Sequence, residues 1–554
     1  MPFFDLPSEL LKSIIVDECE ERKDLKSFRQ VCHAFNYLAR PALFSKIGFT
    51  MIENRSKLCL PLLEALATGT TTLHEHVRHL TFTIICTGEP LQYPYLDEES
   101  IMKAQRAQTK DYFLKAVDTL KGIRTVKIWF DLSLSDSDWA SDGFVKAMTR
   151  MVNLTSLSLN SSGFYVPKFD AIRNLQNLSI SGNPERLSDH LSTQGAIILS
   201  NNPGITSLTI HCTDEWDRNE LNTGDSIFRK LPASIEPLQI THLSIRACDP
   251  IQMTDNVLRH LKNLRSLIYH PESDEPDDLQ ENRNEDKELR ELNRSRKTLE
   301  EWRRTNNNPE PVKIVGHGLP RPVVVEDIER CRPLATAFWN TLWRNKISVE
   351  SLNVVKPDHA TLRYITSLSG LRSLYLGHID ASRRTLVEDL ANMFFKDVIT
   401  NHLETLEELS ILSSFSSSWC FGAHNAALFS KCRKLRSLTL TWDAPAGDSE
   451  KMLCSMIDVS SKLPLLRTFV VQIAYPRYLR GARCGNPYMS FNRGTRQRVE
   501  EFLPKYGPVD IDKHLTEVKI DKSVFRIKEW EDGYRYEPEV PPSSWNASGR
   551  RSWS

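Results

Sequence analysis

Leu154-Thr155-Ser156-Leu157-Ser158-Leu159-Asn160 decides the reading of this chain. An apolar residue is followed by two variable ones, then by apolar–x–apolar. The second half alternates with period two, as a strand with one buried face does. The pattern recurs upstream as Val77-Arg78-His79-Leu80-Thr81-Phe82 and Ile123-Arg124-Thr125-Val126-Lys127-Ile128. Downstream it returns as Leu175-Gln176-Asn177-Leu178-Ser179-Ile180. Further units centre on Leu208, Leu243, Leu267, Leu352, Leu374, Leu409, Leu438, Phe469 and Val518. From Leu157 to Leu267, and from Leu352 to Leu438, the centres fall 21 to 35 residues apart. The count predicts twelve or thirteen strands.

Between strands the spacing turns helical, as at Val145, Met148 and Val152, and at Val387, Leu390, Ala391 and Phe394. One strand and one helix cannot bury their own apolar faces, but stacked neighbours can. The pattern resembles a leucine-rich repeat. The expected fold class is therefore α/β: an irregular solenoid with parallel strands inside and helices outside. Its Leu, Ile and Val positions are core. The intervening positions, including Ser156, Ser158, Asn160, Thr209, His211 and Ser244, face the inner side. Trp129, Arg246, His270 and Tyr375 are the substrate-binding candidates in that row, because aromatic and arginine anchors dominate interface energetics.

The first fifty residues read differently. Leu6-Pro7-Ser8-Glu9-Leu10-Leu11 opens a helix, with Pro7 suited to its first turn. Leu10 and Ile14, like Leu11 and Ile15, are four apart and form a stripe. Leu25, Phe28, Val31, Cys32, Phe35 and Leu38 then recur at helical spacing, with a break expected near Cys32–His33. The ordered set resembles an F-box, with Phe35 and Phe44 where tryptophan is commoner in the family. Together with the repeats, the chain is similar to fungal-type F-box proteins with leucine-rich repeats. The resemblance implies that Leu6, Pro7, Leu10, Ile14, Leu25, Val31 and Cys32 meet the Skp-type adaptor of a cullin-RING ubiquitin ligase. It implies a substrate-recognition subunit of such an SCF-type ligase, with no chemistry of its own.

The 554 residues are 40% hydrophobic and 26% charged, ordinary for a globular chain. Lys+Arg and Asp+Glu are 71 each, so global charge argues for neither nucleic acid nor membrane as partner. No apolar run is long enough to span a bilayer. Asp5 and Glu9 stand where a secretory signal would be basic. The 11 cysteines are dispersed without a CxxC pair, as in reduced core thiols. A cytoplasmic or nuclear location is expected.

The expected domains are an F-box over 1–47, a solenoid over 48–525 with a charged insertion at 271–311, and a tail over 526–554. Residues 272–291 hold ten acids against three bases. Tyr475 to Arg498 holds six arginines and no acid, and reads as a loop. Of these, Arg477, Arg480 and Arg483 join the substrate-binding candidates, since such a cluster suits an anionic ligand. The tail, rich in Pro and Trp, reads as a flexible end or a strap.

Catalytic patterns are missing: no P-loop, GxSxG, HExxH or kinase set occurs. His74-Glu75-His76-Val77-Arg78-His79 brings three histidines close together, without a completing ligand set. No catalytic residue, metal or cofactor is assigned. Two alternatives to the ligase reading are a non-enzymatic repeat scaffold, and a nucleic-acid-associated protein using the Arg477–Arg498 cluster.

Overall fold

The computed structural model describes residues 22–52, 56–86, 111–132, 138–161, 168–182, 189–212, 226–246, 251–270, 325–379, 384–443, 449–476, 486–507, 515–521 and 523–539, with isolated positions at 108, 479, 509 and 510. The chain is α/β and divides into two compact units, Met1–Leu264 and Arg265–Ser554. Among the described residues no helix is long and apolar enough to cross a membrane.

Among the described residues the first unit begins with two short helices, α1 (Arg22–Phe28) and α2 (His33–Leu43). Leu25, Phe35, Ala39 and Leu43 form their core, with the Phe28 ring 4.6 Å from that of Phe35. Seven strands follow: β1 (Lys46–Ile52), β2 (His79–Cys86), β3 (Thr125–Leu132), β4 (Ser156–Ser161), β5 (Asn177–Gly182), β6 (Ser207–Cys212) and β7 (His242–Arg246). Each runs parallel to the next. The register joins Leu80, Val126, Leu157, Leu178, Leu208 and Leu243 in one buried row. Parallel strands need crossovers, and the helices between them supply the apolar cover. Phe113 on the helix at 111–119 stacks 4.4 Å from Phe82 and stands edge-on to Phe49. Gly195 lets the helix Asp189–Asn201 approach β5; a Cβ there would lie 2.6 Å from Ile180 Cδ1.

A backbone clasp recurs where successive parallel strands begin. The carbonyl of Arg78 accepts the N–H groups of Arg124 and Thr125, and the carbonyl of Arg124 accepts those of Thr155 and Ser156. The same two-to-one pattern continues through Thr155, Gln176 and Thr206. It needs no side chain, so it survives the irregular repeat length.

The second unit has β8 (Ser266–His270), β9 (Ser351–Val355), β10 (Ser373–Gly377), β11 (Glu408–Ile411), β12 (Ser437–Trp442), β13 (Thr468–Ile473) and β14 (Glu517–Ile520), again parallel. Leu267, Leu352, Leu374, Leu409, Leu438, Phe469 and Val518 share its buried row. The carbonyls of Arg265, Glu350, Arg372, Glu407 and Arg436 repeat the clasp. Phe338 and Trp339 of the helix Val325–Arg344 pack on Tyr269. β15 (Ser523–Trp530) and β16 (Gly533–Pro538) then turn back antiparallel. Their charged pairs, Arg526–Glu517, Arg526–Glu539 and Lys528–Glu537, line the sheet edge, a pattern that discourages pairing with another chain.

Every expected repeat centre from Leu80 to Val518 lies in a strand. Three strands go beyond the expected count. β1 begins inside the stretch read as the end of the helical unit, and β15 with β16 occupies 523–538, so the tail from residue 526 starts within a hairpin. The stretch Tyr475–Arg498 is not all loop: Asn486–Phe502 is a helix, because Thr495 and Val499 bury one face at helical spacing, continued by Leu503 in the 3-10 turn that follows. The insertion at 271–311 lies outside the described residues.

Candidate functional site

In both units Leu and Ile positions turn toward the helices, and the alternate strand positions form an open face. Register decides which open positions meet. In the first unit Trp129, Asn160, Ser181, His211 and Arg246 form one row across β3 to β7. Two candidates, Trp129 and Arg246, thus share a row, four strand spacings or about 19 Å apart. Trp129 is 50% exposed. Arg246 Nε donates to Ser244 Oγ at 3.3 Å.

At the start of the same face Lys46 of β1 lies opposite His79 of β2, which lies opposite Thr125 of β3. Thr81 is opposite Lys127, and Thr83 is opposite Trp129. Burial holds the His79 imidazole below its ordinary pKa, and the charges of Lys46, Lys127 and Arg124 lower it further. The sequence reading does not contain this cationic group. Lys46, His79 and the Arg124–Lys127 pair are far apart in the chain, and only strand register brings them together.

The other two strand candidates lie in the second unit, on β8 and β10. His270 is buried and its Nε2 lies 2.8 Å from Asn353 Oδ1. Asn353 is opposite Tyr375 in the ladder. Asn353 therefore stands between the two, with no signal of its own in the sequence. The Tyr375 ring lies over Gly377, where an added Cβ would stand 2.7 Å from Tyr375 Cε1. Gly377→Ala should displace that ring at a stability cost of about 1 kcal/mol. Increased nitration of Tyr375 by tetranitromethane, mapped by mass spectrometry, would report the displacement; unchanged nitration would refute it.

Leu6, Pro7, Leu10 and Ile14 lie outside the described residues, as do Arg477, Arg480 and Arg483. Of the other adaptor candidates, Leu25 is buried in the α1–α2 core and Cys32 is half-buried. Val31 is 62% exposed, and Tyr37 on α2 is 73% exposed. In the described part of the arginine cluster, Arg496 pairs with Glu500 at 2.7 Å. Arg498 donates to Gly494 O and Thr495 Oγ1 on its own helix, so these two charges serve the helix first.

Two of the cysteines are plainly unactivated. Burial pushes the Cys432 thiol up to about 12 and raises Cys454, the opposite of a reactive nucleophile. Among the described residues no three His, Cys, Asp or Glu side chains converge as a metal site would require. No known family model matches the sequence, and no curated protein matches it.

Proposed function

We propose that the chain is a non-catalytic substrate-recognition subunit of an SCF-type ubiquitin ligase. An N-terminal F-box docks the Skp-type adaptor, and through it the cullin-RING scaffold. A leucine-rich-repeat solenoid holds a protein substrate on its open strand face. Holding the substrate beside the charged conjugating enzyme raises the effective concentration of its lysines.

The observation that carries the reading is the α1–α2 pair. Its Leu25, Phe35, Ala39 and Leu43 satisfy an internal core, yet Val31 and Tyr37 remain exposed. Together they give a partner apolar surface to bury. Val31 is also one of the positions that the F-box resemblance assigns to the adaptor.

The test is capture of the adaptor and cullin by the tagged full-length chain from a eukaryotic lysate. Two variants run beside it: Leu6→Ala with Pro7→Ala, and Val31→Glu with Tyr37→Ala. Both should lose capture, and the second should melt as the parent does, since its targets are exposed. Retained capture by both variants, or none by the parent, would remove the ligase reading and leave a scaffold.

A further inference from the structure

We propose that the open face of β1 to β3 binds an extended acidic segment of a partner protein, with carboxylates on Lys46 and Lys127, a further one on Arg124 just before β3, and a flat or apolar side chain on Trp129. This deepens the ligase reading by naming a substrate class. It rests on that reading only in calling the partner a substrate.

Lys46, Arg124, Lys127 and Trp129 are all exposed. Elsewhere in the same unit Arg150 is paired with Asp118, and in the second unit Glu407 sits between Arg372 and Arg436. Among the described residues Lys46, Arg124 and Lys127 have no such partner. After burial, the charges of Lys46, Lys127 and Arg124 all lower the His79 pKa, so they bear on one place. Gathering like charges on one face is unfavourable for folding, so a ligand of opposite sign is the natural complement.

The dimensions suit a peptide. Lys46 and Trp129 are two strand spacings apart across the sheet and four residues apart along it, about 16 Å in all. About five residues of extended chain cover that distance. Between them Gly48, Thr81 and Thr83 form a low floor of small side chains on the same face. Trp129 stands two residues beyond Lys127 on one strand, so one ligand residue can stack while its neighbour is charge-paired. Three cations and one indole make a short footprint, far less than a nucleic acid backbone needs for tight binding.

The test uses the full-length chain and fluorescence anisotropy. The probes are a fluorescein-labelled peptide of Glu-Asp-Phe repeats, its Lys-Arg-Phe counterpart, and single-stranded oligo-dT. The acidic peptide should bind, the basic one should not, and affinity should fall as salt rises. Lys46→Glu with Lys127→Glu should weaken binding about tenfold or more, and Trp129→Ala about tenfold. Lys431→Glu, an exposed change in the second unit, should leave binding unchanged. Lys127→Gln, which removes charge without reversing it, should give an intermediate loss, so the result does not depend on one variant's folding. Equal binding by the charge-reversed chain, equal affinity for the basic peptide, or tighter binding of oligo-dT would each overturn the proposal. Adaptor capture is measured separately. Capture without peptide binding sinks this inference alone, and peptide binding without capture sinks only the ligase reading.

Discussion

Asn202→Ala should destabilise the first unit by about 3 kcal/mol, more than the loss of a neutral hydrogen bond usually costs. Asn202 is buried at the end of the helix Asp189–Asn201 and reaches back into the preceding repeat. Its Oδ1 accepts from Leu175 N at 3.0 Å, and its Nδ2 donates to Ile172 O at 3.0 Å and Ile198 O at 2.8 Å. Alanine strands one donor and two acceptors where water does not reach, and each unsatisfied group costs about 1–3 kcal/mol before relaxation. Asn202→Asp should be no milder: it keeps the acceptor but turns the two donor contacts into oxygen facing oxygen. The neighbour Asn201 makes one exposed bond, to Asp170 O at 2.8 Å, so Asn201→Ala should cost under about 1 kcal/mol. Hydrogen exchange at the Leu175 amide, with urea denaturation, measures both. Equal losses at 201 and 202 would refute the account.

The strands were legible because their signal is local. Leu157, Leu374 and Leu438 each stand in an apolar–x–apolar run, and a period of two needs only a few residues to show. β1 was hidden because Phe44-Ser45-Lys46-Ile47-Gly48-Phe49, although it fits the repeat pattern, begins inside the helical unit and carries a glycine, which strands disfavour. The helix Asn486–Phe502 was hidden by Pro487, Gly494 and a run of polar residues; burial of Val499 and Leu503 outweighs those propensities. β15 and β16 interleave five charged residues with their apolar ones, because they form the sheet's edge and pair charges across it.

The site was less legible, for a different reason. Trp129 and Arg246 could be chosen for their chemistry, but their shared row is fixed only by register summed over four ladders. Lys46, Arg124 and Lys127 look like solvated charges in the sequence, and nothing local says that all three bear on His79. Buried polar residues such as Asn202 and His260 are also silent in sequence. Their value lies in backbone partners one repeat away, and those partners are set by packing.

His260 supplies the second large effect, a loss of stability in mild acid. The ring is fully buried, is stacked near Phe228, and accepts from Leu238 N at 3.1 Å through Nδ1. Burial, with the Arg259 charge beside it, lowers its pKa from 6.5 to about 4. Arg259 is itself held in place by Ala233 O and Pro232 O. The folded chain therefore binds fewer protons at this site than the unfolded chain between pH 4 and 6.5. Its contribution is complete above 6.5 and is lost as pH falls toward 4. The loss at pH near 4.5 is about 2–3 kcal/mol by linkage. Asparagine should remove this dependence while keeping the acceptor, since Asn202 already serves Leu175 N in that way. His260→Asn should be less stable than the parent at pH 7, having lost the ring's packing, yet fall less between pH 7 and 4.5. His402, also lowered by burial, acts in the same direction but stays the same in both chains, so it cancels from the comparison. Urea denaturation at the two pH values gives the difference directly. Parallel losses in parent and variant would show that His260 does not carry the acid sensitivity.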